Sequence, residues 1–418
     1  MRLVYVGTLP PHPGGSAVSS SQLLVALAER GHETVAVAPM TAAALASGDA
    51  FAARHPRIRV RRFVVPYFEM APNVPAAEGY RRAQRAQIER VLSDVLAHHR
   101  PDLIWIGREN FAWDVPPIAR AHAIPCVLRT AGSMTIGILG GGFPEELATS
   151  YLEQCRGIDQ IVAPAQHLAD RMRTLGLNHV RVVPNAVDLE RFSPRPKNRD
   201  LMRELGIAPG DVVVAHVSNL KGLKRPVDVV ESAARALPRR RELRYVLVGD
   251  GPARAAMQEA CERHGLGERF RFVGWVDYDR VPEYINLADI VVMPSEDEAQ
   301  ARVYLETQAC GRLLLASDIP GAREVIADAL TGMLFRKGDI EDLTEKTLLA
   351  AANREWRLAV GRRAREAVAA HSLDGTVDAY LAIFGEVVRN GRHSQDGRYA
   401  LAPLAMLGPS AGDRALNQ

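Results

Sequence analysis

Cysteine is scarce in this chain: four in 418 residues, at Cys126, Cys155, Cys261 and Cys310, far apart and without a Cys-x-x-Cys or paired-histidine spacing. That scatter excludes a disulfide-stapled scaffold and a cysteine zinc site, and a reducing cytoplasm is the simplest setting. An excess of one charge is lacking too. With 52 basic against 49 acidic residues the formal net charge is +3, too small for nucleic acid to be the main partner. The densest basic run, Arg239-Arg240-Arg241, follows Pro238 and reads as a solvated loop. No run approaches the roughly 20 apolar residues that span a bilayer, so no transmembrane segment is expected. The apolar opening Leu3-Val4-Tyr5-Val6 is too brief for a secretory signal.

What is present is the composition of a soluble globular protein, 47% hydrophobic and 24% charged, long enough for two or three domains. β-Branched runs alternate with helical stretches twice over. Strands are expected at Leu3 to Val6, Thr34 to Ala38, Ile58 to Val65, Leu103 to Ile106, Pro125 to Arg129, Asp159 to Val162 and Val180 to Val183, with helices at Ser16 to Arg30, Glu78 to His99 and Pro144 to Arg156. The pattern resumes with strands at Val212 to Val217, Arg244 to Val248, Phe270 to Val273, Ile290 to Met293, Leu313 to Ala316 and Met333 to Phe335. Two doubly wound α/β domains follow from this order. The proline-rich stretch from Val183 to Lys197 is the linker. It separates a first domain over 1–190 from a second over 198–375. A helix over about 376–390 is expected to pack back on the first domain, and 391–418 to form a loosely ordered tail. Such a pair leaves a cleft at the carboxyl ends of both sheets, where ligands bind in open α/β folds.

The most informative segment is Pro294-Ser295-Glu296-Asp297-Glu298, followed by Ala299-Gln300-Ala301-Arg302 and then Glu306. Two carboxylates stand eight residues apart at a strand-to-helix junction. On a helix that spacing puts both on nearly one face, about 12 Å apart along the axis. Between them the first-turn N–H groups around Ala299 to Arg302 form an anion site. The order suits a ligand with hydroxyls, a diphosphate and more hydroxyls. Solvated acids on an amphipathic helix are the alternative reading of the two glutamates alone.

The segment resembles the Glu-x7-Glu motif of the retaining glycosyltransferases of family 4, Pro-Ser-x-x-Glu-Gly-Phe-Gly-x-x-x-x-Glu-Ala-x-Ala-x-Gly. The resemblance implies a GT-B fold, two Rossmann-like domains facing an interdomain cleft. The implied donor is a nucleotide-diphospho-sugar of UDP or GDP type, with no further cofactor and no catalytic metal. It implies that Glu298 contacts the donor sugar and Glu306 the ribose. The Gly-Gly loop at Gly14 and Gly15, which read alone is a turn, would approach the donor phosphates. In His216-Val217-Ser218-Asn219-Leu220-Lys221-Gly222-Leu223-Lys224-Arg225, Lys224 falls at the lysine of the Gly-Arg-x-x-x-x-Lys pattern that neutralises the diphosphate. Asn219 stands where the arginine is expected, a form similar to the subgroup that glycosylates malate in bacillithiol synthesis. Lys221 and Arg225 are candidates to replace the missing charge. The turns at Gly251 and Trp275 resemble those lining the nucleobase pocket. Glu324 is expected to serve a helix first turn. Asp277-Tyr278-Asp279 carries the metal signature of the other major glycosyltransferase fold, but its place before a helix reads as capping.

Two departures mark the sugar pocket. Ala131 occupies the position of a histidine that meets the donor sugar, and Ala299-Gln300-Ala301 replaces Gly-Phe-Gly. Hydroxyl contacts are therefore expected from Gln300 and, on the acceptor side, from His12, Arg129, Thr130 or Ser133. The implied reaction is retaining transfer by front-face displacement to a small polar acceptor, in thiol-cofactor or natural-product biosynthesis. A sugar-nucleotide epimerase, or a catalytically silent sugar-nucleotide-binding protein, remains open, and the absent histidine favours the latter. A homodimer is also left open.

Overall fold

Among the described residues, thirteen parallel strands, apolar because helices cover both faces of each sheet, form two sheets. The computed structural model describes residues 1–12, 14–65 and 78–394, without the side chains of 78–83, 133 and 392–394. The first sheet holds β1 (Arg2–Val6), β2 (Glu33–Thr41), β3 (Ile58–Val65), β4 (Leu103–Ile106), β5 (Cys126–Arg129), β6 (Gln160–Ala163) and β7 (Val180–Val182), in the order β3-β2-β1-β4-β5-β6-β7. The second holds β8 (Val212–Val217), β9 (Leu243–Val248), β10 (Phe270–Gly274), β11 (Ile290–Met293), β12 (Leu313–Ser317) and β13 (Met333–Phe335), in the order β10-β9-β8-β11-β12-β13. Both are doubly wound, Rossmann-like sheets, the two-domain GT-B architecture that the sequence implies.

In each sheet the chain starts in the middle, winds to one edge and returns to wind to the other. The order reverses between β1 and β4 in the first and between β8 and β11 in the second. Neighbouring loops depart there in opposite directions and open a crevice at the strand carboxyl ends. The loops after β1, β4, β8 and β11 are therefore where a ligand site belongs.

The last helix, Leu373–Ser394, crosses back over the linker. Its Val377, Tyr380, Ile383, Phe384 and Val387 share a buried core with Leu3, Tyr5, Trp105 and Val127 of the first sheet. Trp105 meets Tyr380 at 5.6 Å and Phe384 at 5.8 Å between ring centroids. The two crossing segments are tied where they pass: Val187 N–H donates to the His371 carbonyl at 3.0 Å. The helix continues through Ser394, into the segment expected to be tail, and residues 395–418 lie outside the described residues.

Candidate active site in the interdomain cleft

The Glu298 carboxylate stands in a loop, which corrects the expectation that it opens a helix. β11 ends at Met293 and the helix Arg302–Ala309 starts only at Arg302, so the spacing to Glu306 is not two straight helical turns. Glu298 is 9% exposed. Its Oε1 accepts from Ser295 Oγ at 2.9 Å and from the Lys224 ammonium. The loop lies so close on Gly321 that a Cβ there would sit 2.2 Å from the Glu298 carbonyl oxygen. Glu306 is on the helix and buried. Its Oε1 accepts from Tyr278 Oη at 2.9 Å and from Arg302 Nη2 at 3.3 Å. Burial raises the Tyr278 phenol well above its usual range, so it serves Glu306 as a neutral donor. Burial disfavours the Arg302 charge, but Tyr278 and Glu306 hold it in place. Arg302 Nη2 also reaches Gln22 Oε1 of the first domain at 3.0 Å. Its Nη1 is buried without a partner.

The loop after β8 brings Lys224 to Glu298. His216 sets its start: Nδ1 donates to the Val292 carbonyl at 2.9 Å, and Nε2 accepts from Ser218 Oγ at 2.7 Å. Full burial, against the bond to Val292, lowers its pKa to about 4, so a neutral imidazole pins the exit of β8 to β11. Asn219 Oδ1 is buried and unpartnered. Gly251 lies against the same loop, where a Cβ would meet the Asn219 carbonyl oxygen at 2.0 Å. Trp275, just past β10, is 52% exposed. Arg225 is corrected as a substitute for the missing arginine. Its Nε donates to Asp228 Oδ2 at 2.7 Å and its Nη1 to Glu296 Oε2 at 3.1 Å, so its charge is already neutralised. Lys221 faces no such acid among the described residues. Burial first, then Arg108 and Lys224, push its ammonium down to about 8.

The first domain closes the other wall. Gly14, at φ +106°, starts the helix Gly15–Glu29, a conformation that a side chain would strain. A Cβ on Gly15 would lie 3.5 Å from Arg302 Cδ. At Gly132, with φ +103°, an added Cβ would come within 2.3 Å of Ala299 Cβ, so the domains touch where Ala299 stands in place of a glycine. Glu109 fixes Gly132 from behind, accepting from its N–H at 2.7 Å and from Thr135 Oγ1 at 3.1 Å. Arg108, directly before Glu109, has a buried Nη1 without a partner.

Several residues expected to meet sugar hydroxyls are committed elsewhere. Gln300 Oε1 accepts from the Asn185 N–H at 2.6 Å, and the Gln300 carbonyl accepts from Asn185 Nδ2 at 2.9 Å. Arg129 donates to Asn185 Oδ1 at 2.8 Å, to Ser19 Oγ at 2.7 Å and to Ser20 Oγ at 3.3 Å, all buried. Both side chains clamp the linker between the domains, because a buried linker needs partners for its polar groups. Thr130 is wholly buried, its Oγ1 donating to the Val162 carbonyl at 3.3 Å. His12 is buried in the loop after β1. The Ser133 side chain lies outside the described residues.

Glu324 serves a helix first turn, as expected, but a helix of the other domain, and the capping reading of Asp277-Tyr278-Asp279 is corrected. Glu324 ends a short helix, and its carboxylate reaches across to the first domain. There it accepts from the Gln166 N–H at 2.7 Å and the His167 N–H at 2.8 Å, capping the first turn of Gln166–Thr174. Asp277 makes no capping bond and Asp279 pairs with Arg191 at 2.5 Å. The useful member of that triplet is Tyr278. Sequence reasoning also passed over Arg108 and His216. Both lie at strand carboxyl ends beside a switch point, a signal that was there to be read.

Comparison with known proteins bears on this arrangement. Residues 13–191 match the family model "Glycosyltransferase Family 4", and residues 197–367 match "Glycosyl transferases group 1". A D-inositol 3-phosphate glycosyltransferase of Actinosynnema mirum is 31% identical over 89% of this chain and 92% of its own. One of Nocardia farcinica is 30% identical over 68% of this chain, and the match spans 64% of that relative's length. Among solved structures, Anabaena Alr3699/HepE in complex with UDP-glucose superposes with a TM-score of 0.76 at 18% identity, covering 92% of this chain and all of that one.

Proposed function

The chain belongs to the family 4 glycosyltransferases, and from that premise we propose a retaining, cytoplasmic enzyme that moves a sugar from a UDP- or GDP-sugar to a small polar acceptor. The observation that carries this reading is the meeting of Lys224, Glu298 and Glu306 in one cleft, at the switch point of the second sheet. In this reading Glu306, braced by Tyr278 and Arg302, accepts hydrogen bonds from the ribose hydroxyls. Lys224 holds the diphosphate, together with the N-terminus of Arg302–Ala309 and the turn at Gly14 and Gly15. Glu298 orients sugar hydroxyls as positive charge grows at the anomeric carbon. Gly251 shapes the loop bearing Asn219, and Trp275 offers a face to the base.

In this reading the bond between the anomeric carbon and the diphosphate oxygen breaks first. The electron pair goes to the phosphate, where Lys224 stabilises the added charge more than it stabilises the ground state. The acceptor hydroxyl attacks from the side the diphosphate leaves, and its proton passes to a departing phosphate oxygen. The configuration is retained and no protein nucleophile is used. A small polar acceptor is supported by the two relatives, which are D-inositol 3-phosphate glycosyltransferases. No described helix is long and apolar enough to cross a membrane.

The test is calorimetric binding of UDP, GDP, ADP and TDP. Turnover of the matching sugar nucleotide with a panel of polyol and polyol-phosphate acceptors follows, with the anomeric configuration read by NMR. Retained configuration and acceptor-dependent release of nucleotide are expected. Inverted product refutes the front-face route. A changed sugar nucleotide released without acceptor favours the epimerase reading, and binding without turnover favours the silent one.

A further inference from the structure

The phosphate loop of the second domain is one cation short. Asn219 stands where an arginine is expected, and Arg225 is neutralised by Asp228 and Glu296. Lys224 shares its charge with Glu298. Lys221, with no ion pair among the described residues, is then the one unshared cation beside it to meet two phosphate charges. A diphosphate leaving group held so lightly would depart poorly.

A second cation without an ion pair among the described residues stands on the opposite wall. Arg108 follows β4 and Gly107 at the carboxyl end of the first sheet, beside that sheet's switch point. It is placed there by its neighbours. Ile104 and Ile106 are buried core residues, Glu109 is tied down by Gly132 and Thr135, and Gly107 N–H donates to the Val6 carbonyl at 2.9 Å. A guanidinium keeps its charge at any working pH, and an N–H that is buried without an acceptor is costly. Arg108 Nη1 is such a group. Of the two cations that push the Lys221 ammonium down, Arg108 acts more strongly than Lys224. Two cations from two domains thus act on one region, and neither Arg108 nor Lys221 has an ion pair among the described residues. The arrangement is unfavourable until an anion occupies it.

We propose that Arg108 supplies, from across the cleft, the diphosphate contact that Asn219 cannot make. The leaving group is then gripped by Lys221 and Lys224 on one wall and Arg108 on the other. Because the grip needs both domains, full stabilisation of the departing diphosphate is reached only when the cleft is closed, which couples chemistry to closure. This inference rests on the nucleotide-sugar reading of the site and identifies which residue completes it.

The experiment measures the affinity of the full-length protein for UDP, GDP, ADP and TDP in four forms: wild type, Arg108→Gln, Asn219→Arg and the double variant. Thermal melting of each form reports folding. For the nucleotide that the wild type binds, Arg108→Gln is expected to weaken binding about 10- to 100-fold, the size of a charge-assisted hydrogen bond, at an unchanged melting temperature. Asn219→Arg in the Arg108→Gln background is expected to restore affinity to within about threefold, since it returns the charge from the other wall. Affinity unchanged in Arg108→Gln overturns the inference and leaves the nucleotide-sugar reading standing. So does a loss that Asn219→Arg fails to restore. Absence of nucleotide binding by the wild type sinks the underlying reading itself.

Discussion

Replacing Gln300 by leucine separates two roles for the residue that stands where the family form has phenylalanine. Leucine fills a similar volume but offers no acceptor to the Asn185 N–H, which Gln300 Oε1 now meets at 2.6 Å. Asn185 is 8% exposed and Gln300 7%, so water does not readily take over. A buried backbone donor left unmatched costs about 1–3 kcal/mol. At about 2–4 °C per kcal/mol for a cooperative unit of some 150–250 residues, the ligand-free protein should melt about 2–12 °C lower. The second bond, from Asn185 Nδ2 to the Gln300 carbonyl at 2.9 Å, survives because it uses the main chain. Scanning calorimetry without ligand reads the first quantity, and kcat/KM for the donor reads the second. If Gln300→Leu melts within about 1 °C of wild type yet loses tenfold or more in donor kcat/KM, Gln300 is a sugar contact and the clamp argument is wrong.

Further outcomes are expected. Glu306→Ala should weaken the bound nucleotide by about 10- to 100-fold, and should abolish the preference for ribose over 2′,3′-dideoxyribose. A variant that still discriminates the two sugars would remove Glu306 from the ribose site. The Lys221 ammonium, lowered to about 8 by burial and by Arg108 and Lys224, should regain its proton when a diphosphate arrives. Affinity therefore falls as pH rises through 8, and titrations at pH 8 in buffers of different ionisation enthalpy should show proton uptake, with none seen counting against the assignment. The His216 imidazole, held near 4 by burial, binds its proton more readily in the unfolded chain. Its contribution is present above about pH 6.5 and is lost as pH falls towards 4, up to about 3 kcal/mol. Urea unfolding of His216→Gln should show a correspondingly flatter acid limb than wild type.

The strands, their grouping and the pair of doubly wound domains were legible in the sequence. Runs such as Ile290–Met293 and Val212–Val217 are apolar and β-branched over a few adjacent residues, a local property that needs no partner to be recognised. The motif carrying Glu298, Glu306 and Lys224 was legible for a similar reason, since each residue stands at a fixed offset from a strand end. Side-chain commitments were not. Gln300 and Arg129 read as free polar groups beside a sugar until the linker closes over them, and Asn185, which claims both, is 115 residues from one and 56 from the other. Glu324 caps a helix 158 residues upstream, in the other domain, a contact that exists only because the two sheets face each other. The same holds for Arg108, whose charge bears on Lys221 only across the cleft. Local pattern determined the elements of this protein and the residue types at its strand ends. Which of those residues remain free to meet a ligand is decided by burial and by partners distant in the chain, and these arise only when the domains pack.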